Sequence, residues 1–267
     1  MANNPFGSWG FLLGPVTRFG LWLFAQVEDL GRLFVVLFAT LYWFVRPPYR
    51  IRETFRQMQY VGVGSFLIIS LTGTFTGMVL ALQTFSAFVT FNAESLVGAT
   101  VALSMTRELG PVLSGLMVTA RAGSAMAANL GTMRVTEQID ALQTMAVDPI
   151  EYLFVPRITA ALIMVPVLTV YFNFLGILGG YFVGVNYLGI PPGPFVTSIV
   201  NLTDYDDLTT GLIKSCFFGL ILSFISCYKG YTAGEGAEGV GQATMQAVVL
   251  SAVLILVSDY FLTDWLF

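Results

Sequence analysis

Long tracts of the chain carry no charge. None lies between Arg56 and Glu94, between Arg157 and Asp204, or between Glu238 and Asp259. Each gap can supply the roughly 20 apolar residues that one helix needs to cross a hydrocarbon core. With the apolar segments beginning near 96 and 208, the pattern predicts five spans, at about 60–90, 96–130, 158–187, 208–229 and 242–266. Residues 5–45 are apolar but interrupted by Gly14-Pro15, Arg18, Glu28-Asp29 and Arg32. They read as an amphipathic interfacial or re-entrant helix, with a tilted sixth span as the alternative. A basic hinge, RPPYRIRETFR (46–56), follows. The division expected is an N-terminal interfacial segment, 1–55, and a five-span domain, 56–267.

Composition strengthens the membrane reading. Hydrophobic residues make up 56% of the chain and charged residues 10%, against about 25% charged in soluble domains. Mean hydropathy is +0.77. The distribution of Lys and Arg then orients the spans. Arg46–Arg56, Arg121, Arg134, Arg157 and Lys229 fall on one side of this threading, whereas 91–95 and 188–207 hold neither residue. Positive charge collects on the cytoplasmic side, so a cytoplasmic N-terminus and an outer C-terminus are expected. The first residues, MANNPFGSWG, lack the basic region of a secretory signal, and insertion by the chain's own helices is expected.

Several chemistries drop out. A net charge of −4 argues against nucleic acid, which calls for a clustered basic face. There is no histidine, so the commonest general base and metal ligand is missing; no catalytic or metal-binding residue is expected. Cys216 and Cys227 lie eleven residues apart in one apolar segment, about 16 Å along a helix and too far for a disulfide. The match of Gly234–Gly239 to GxGxxG has no preceding strand and carries no dinucleotide reading. No phosphate-binding loop of a nucleotide hydrolase is present.

Charge within the spans is the informative feature. Arg107 and Glu108 fall in the second span, Lys214 early in the fourth and Asp259 late in the fifth. Alone in hydrocarbon each would be costly, so they should pair or line a wet cavity; a structural salt-bridge network and a polar cavity lining are both open. The polar stretch 134–149 is expected to form a short surface helix capped by Thr136, with Glu137 in its first turn and Asp148-Pro149 at its end. It suits either a docking element or a plain connection. Phe85, Phe88 and Phe91 recur at helical spacing, as packing, an interface belt or a lipid-contacting wall. Small residues recur every fourth position at Gly73/Gly77, Gly123/Ala127/Gly131 and Gly176/Gly180/Gly184. Such faces serve intramolecular packing or a dimer seam.

GTFTGMVLALQ (73–83), RELGPV (107–112), RAGSAMAANLGTMRVTEQIDAL (121–142), MAVDPIEYLFVPR (145–157), LIKS (212–215) and SDYFLT (258–263) resemble the MlaE/YrbE family, permeases of ABC transporters that work with MCE-domain proteins. The resemblance runs from about residue 55 to the end. It implies an all-α membrane fold of an interfacial N-terminal helix and five transmembrane helices, with a cytoplasmic coupling helix. It further implies a homodimer in a bacterial inner membrane, a separate ABC ATPase that binds ATP and Mg, an MCE protein on the periplasmic side, and phospholipid as cargo. Glu137, Gln138 and Asp140 would touch the ATPase. Arg107, Glu108, Lys214 and Asp259 would surround the lipid cavity, with Leu80, Phe88 and Phe91 in its apolar wall. The competing readings are an ion-coupled secondary transporter using Glu108 and Asp259 as proton carriers, and a membrane anchor for an MCE complex.

Overall fold

The computed structural model describes residues 10–46 and 50–266; residues 1–9 of the N-terminal segment and 47–49 of the hinge lie outside the described residues. The chain separates into two compact units, Met1–Pro47 and Pro48–Phe267. The described residues of the first form a single helix, α1 (Gly10–Val45), and end at Arg46. Within it Glu28 and Arg32 form an exposed i,i+4 ion pair at 2.6 Å.

The second unit is a helical bundle. The basic stretch expected to be a hinge is already helical from Ile51, where α2 (Ile51–Phe88) begins. A tight turn with Asn92 in the left-handed region (φ 52°) reverses the chain into one unbroken helical run, 94–135. That run comprises α3 (Val97–Ser104), a π-helical turn (Met105–Leu109), α4 (Gly110–Val118), a second π turn (Thr119–Gly123) and α5 (Ser124–Val135). At 1.5 Å per residue it is about 60 Å long. A short α6 (Gln138–Thr144) follows, then α7 (Val155–Tyr181) with a π turn at each end. α8 (Pro192–Leu202), α9 (Tyr205–Tyr231) and α10 (Gly236–Leu266) complete the unit.

Among the described residues, four helices are long and apolar enough to cross a membrane: 51–91, 150–187, 205–231 and 236–266. The run 94–135, expected as the second span, contains Arg107, Glu108 and Arg121, which lower its apolarity. Its length suffices for a crossing. Outward-facing side chains agree with a lipid environment. Val63, Phe66, Leu67, Phe75 and Val79 on α2 and Val249, Val253, Leu256 and Phe261 on α10 are all exposed, an apolar area that water would not tolerate. This is an all-α membrane protein.

The packing order explains where polar residues meet. α2 lies along α7, α7 along α9, and α9 along α10, while the run 94–135 crosses the bundle. Its first part contacts α2 and α8, its middle α7 and α9, and its end α9 and α10. Glycines set the closest approaches. A Cβ on Gly77 would enter the Gly176 carbonyl, and one on Gly73 would stand 3.0 Å from the Phe172 oxygen. Gly176 in turn admits Met105, and Gly180 faces Val101. The four-residue glycine periodicity on α2 and α7 therefore serves packing within one chain.

Three local expectations are corrected. The segment 188–207 is not simply a loop. Pro192 and Pro194 open α8, with proline tolerated in the first turn because its missing N–H has no helical partner there, and the fully buried Phe195 anchors it between Gly98 and Gly184. Nor does Thr136 cap α6: its hydroxyl donates back to the Thr132 carbonyl at 2.8 Å. Asp148 begins the next helix rather than ending α6, since its Oδ1 accepts from the Ile150 N–H at 2.8 Å.

Candidate functional site

Lys214 is the only lysine or arginine with no exposed surface among the described residues. It lies on the buried face of α9, one turn beyond Gly211. A Cβ on Gly211 would enter the Thr106 carbonyl, so this glycine lets α9 touch the first π turn of the 94–135 run. That contact brings Glu108 to Lys214. Nζ donates to Glu108 Oε2 at 2.7 Å and to Thr263 Oγ1 at 2.7 Å, and stands 3.2 Å from Asp259 Oδ1. Two hydrogen-bond acceptors and one further carboxylate, from two other helical segments, thus surround the ammonium. Thr263 also donates to the Asp259 carbonyl at 2.8 Å, which fixes it on α10.

Arg107, although adjacent to Glu108, takes a different partner. Its Nε donates to Asp207 Oδ1 at 2.6 Å and its Nη2 lies 2.5 Å from the same oxygen. Asp207 is buried, and its other oxygen accepts from the Asp204 N–H at 2.9 Å, which closes a reciprocal capping box at the start of α9. Asp207 and Lys214 are seven residues apart, two turns along one face of α9. The π turn thus directs Arg107 to one and Glu108 to the other. Sequence reasoning gathered Arg107, Glu108, Lys214 and Asp259, and missed Asp207. Two cations and three carboxylates now share the region, so the formal sum is −1 rather than zero. The Glu108 side chain is 39% exposed, so the cluster is sealed around Lys214 and open at Glu108.

The expected apolar wall divides. Leu80 and Leu109, with Phe75, Thr76, Val79 and Gln83, line an open cavity of 330 Å³ on the outer face of α2. Phe88 packs against the hydrophobic core instead, and Phe91 projects from the turn with 79% of its surface exposed. Neither lines that cavity.

At the far end of the 94–135 run, Glu137 takes a left-handed conformation (φ 57°) and starts α6 without a side-chain cap. Ile139 is fully buried and holds this short helix down, while Glu137, Gln138 and Asp140 are exposed. Arg134 pairs with Asp140 at 2.7 Å, and Gln138 donates to Thr136 Oγ1 at 3.1 Å. Cys216 and Cys227 are both free thiols on α9. No group of three or more His, Cys, Asp or Glu arranged to hold a metal occurs among the described residues.

Comparison with known proteins assigns the architecture. The family model described as "Permease MlaE" matches residues 54–265. A probable ABC transporter permease protein of Rickettsia felis is 46% identical over 240 residues, covering 90% of this chain and 93% of that protein. The intermembrane phospholipid transport system permease protein MlaE of Haemophilus influenzae is 41% identical over 243 residues, 89% of this chain and 92% of its own. A chloroplastic protein of Arabidopsis thaliana, TRIGALACTOSYLDIACYLGLYCEROL 1, is 37% identical over 216 residues, 81% of this chain and 62% of its own length. With the family model spanning nearly the whole bundle, the chain belongs to the MlaE permease family.

Proposed function

We propose that this chain is the membrane subunit of an ABC transporter that moves phospholipid, or a related lipid, between a bacterial inner membrane and an MCE-domain protein. The observation that carries the reading is the buried Lys214 cluster, which joins three helical segments and whose Glu108 is followed in the chain by Leu109 of the open Leu80–Leu109 cavity. An amphiphile suits that combination: the polar cluster can exchange partners with a headgroup while the apolar cavity takes acyl carbon. Family membership and the phospholipid transport named for the Haemophilus relative support the cargo class.

The mechanism is mechanical. Two copies of the chain, each crossing the membrane five times with its N-terminus cytoplasmic, enclose the lipid path. A separate ATPase closes on ATP, and α6 receives that motion through Glu137, Gln138 and Asp140. Because α6 follows the run 94–135 after a single tight turn, a push on it is felt at Arg107 and Glu108, about 40 Å back along that run. The ion pairs to Asp207 and Lys214 then act as the latch that shifts α9 and α10. An MCE-domain protein on the periplasmic side exchanges lipid with the opened path.

The test is reconstitution of the chain with its genomic neighbours in proteoliposomes, with native mass spectrometry of the same preparation. Expected are two permease copies, an ATPase pair, bound phospholipid, and lipid transfer that requires ATP and falls at least tenfold in Asp140→Lys. Transfer driven by a proton gradient without any ATPase would replace this reading with an ion-coupled carrier.

A further inference from the structure

A second, polar cavity lies away from the Lys214 cluster. It measures 640 Å³ and sits between the start of α2, the end of the 94–135 run and the start of α7. That volume is within the usual range for a small-molecule site. Arg56, Arg121 and Arg157 all line it, opposed by one carboxylate, Glu53. None of the three arginines forms an ion pair among the described residues, although Arg50, beside them, pairs with Glu151 at 3.5 Å.

Two of these arginines are held in place by design of the backbone around them. Arg157 is 8% exposed. Its Nη1 donates to the Leu153 carbonyl at 2.8 Å and its Nη2 to Asn129 Oδ1 at 3.0 Å, so neutral oxygens alone receive a buried guanidinium. Arg121 leaves the second π turn, donates to the Tyr60 carbonyl and stacks over the Tyr60 ring at 4.8 Å. It lies flat across Gly64, where a Cβ would collide with both terminal nitrogens. A buried cation with no carboxylate in ion-pair contact is costly, and a guanidinium retains donors in a fork that matches phosphate oxygens.

We propose that this cavity is an anion site for a phosphate group, built on Arg121 and Arg157 with Arg56 at its rim. It is separate from the Lys214 cluster, because Arg121 is about 21 Å beyond Arg107 along the same helix. The apolar side chains of Val63 and Met126 also line it, so a phosphate that carries an acyl chain can be accommodated. Its assignment to the cytoplasmic leaflet rests on the orientation proposed above; the anion chemistry does not.

The full-length chain in detergent would be titrated with dihexanoyl phosphatidate, inorganic phosphate and dihexanoylglycerol, and its thermal melting followed by tryptophan fluorescence. Phosphatidate is expected to raise the midpoint saturably, with affinity about tenfold weaker in Arg121→Gln and in Gly64→Ala, and unchanged in Lys229→Gln. Gly64→Ala removes no charge, so a parallel loss ties binding to the placement of Arg121. An equal effect of inorganic phosphate identifies a soluble anion as the occupant; an effect of phosphatidate alone identifies a lipid headgroup. Equal shifts with dihexanoylglycerol, or unaltered affinity in both site variants, overturn the proposal. The readout needs neither ATPase nor transport, so its failure is distinct from failure of the transporter reading.

Discussion

Lys214 illustrates what a single buried charge demands. Its ammonium is fully enclosed and is satisfied by Glu108, Asp259 and Thr263. In Lys214→Met the two carboxylates remain with no cation between them, and breaking a buried pair from one side costs about 3–5 kcal/mol. The expected result is a clear fall in the melting midpoint of the purified chain, partly restored in Lys214→Met/Glu108→Gln. A single variant that melts like the parent would remove the latch from the mechanism. Lys214, Glu108 and Asp259 were legible in the sequence because charge is scarce within apolar segments. Asp207 was not, because Asp204, Asp206 and Asp207 stand together at a helix start and only the fold selects the one that faces Arg107.

Between helices, glycine placement decides how closely two axes approach. Gly77 meets the Gly176 backbone, which cannot yield, whereas a Cβ on Gly115 would find the Phe218 Cβ at an ordinary 3.4 Å. Gly77→Ala is therefore expected to destabilise the α2–α7 pair by about 1–3 kcal/mol, and Gly115→Ala to change stability little, both measured by melting of the purified chain. Equal effects would mean that the α2–α7 approach is not set by Gly77. The four-residue spacing was visible in the sequence, but which helix each face meets was not. The π turns in the run 94–135 and at the ends of α7 left no pattern that hydrophobic periodicity could register, and α8 was hidden by its prolines. The three aromatic residues Phe85, Phe88 and Phe91 shared a helical spacing, yet α2 gives way after Phe88 to a 3-10 turn, Val89–Phe91, so Phe91 leaves the stripe.

At the level of the whole molecule, the decisive question is whether the run 94–135 crosses the bilayer. In a Cys216→Ala/Cys227→Ala background, Asn92→Cys and Gln143→Cys place one exposed thiol at each end of it. A membrane-impermeant maleimide is expected to label Asn92→Cys in intact spheroplasts and Gln143→Cys only after permeabilisation. Labelling of both from one side would reduce the crossings of this unit to the four that apolarity alone identifies.

The sequence by itself determined the class of protein, the apolar helices and the family, because burial in lipid imposes long uncharged tracts and the motifs are extended. It also exposed the buried charges, since each is exceptional in its surroundings. Only the tertiary structure decided their partners: adjacent residues on a π turn diverge to Asp207 and Lys214, and Arg121 and Arg157 reach one cavity from separate helices. Pairing depends on distances across the bundle, and those are fixed by where glycine allows backbones to touch.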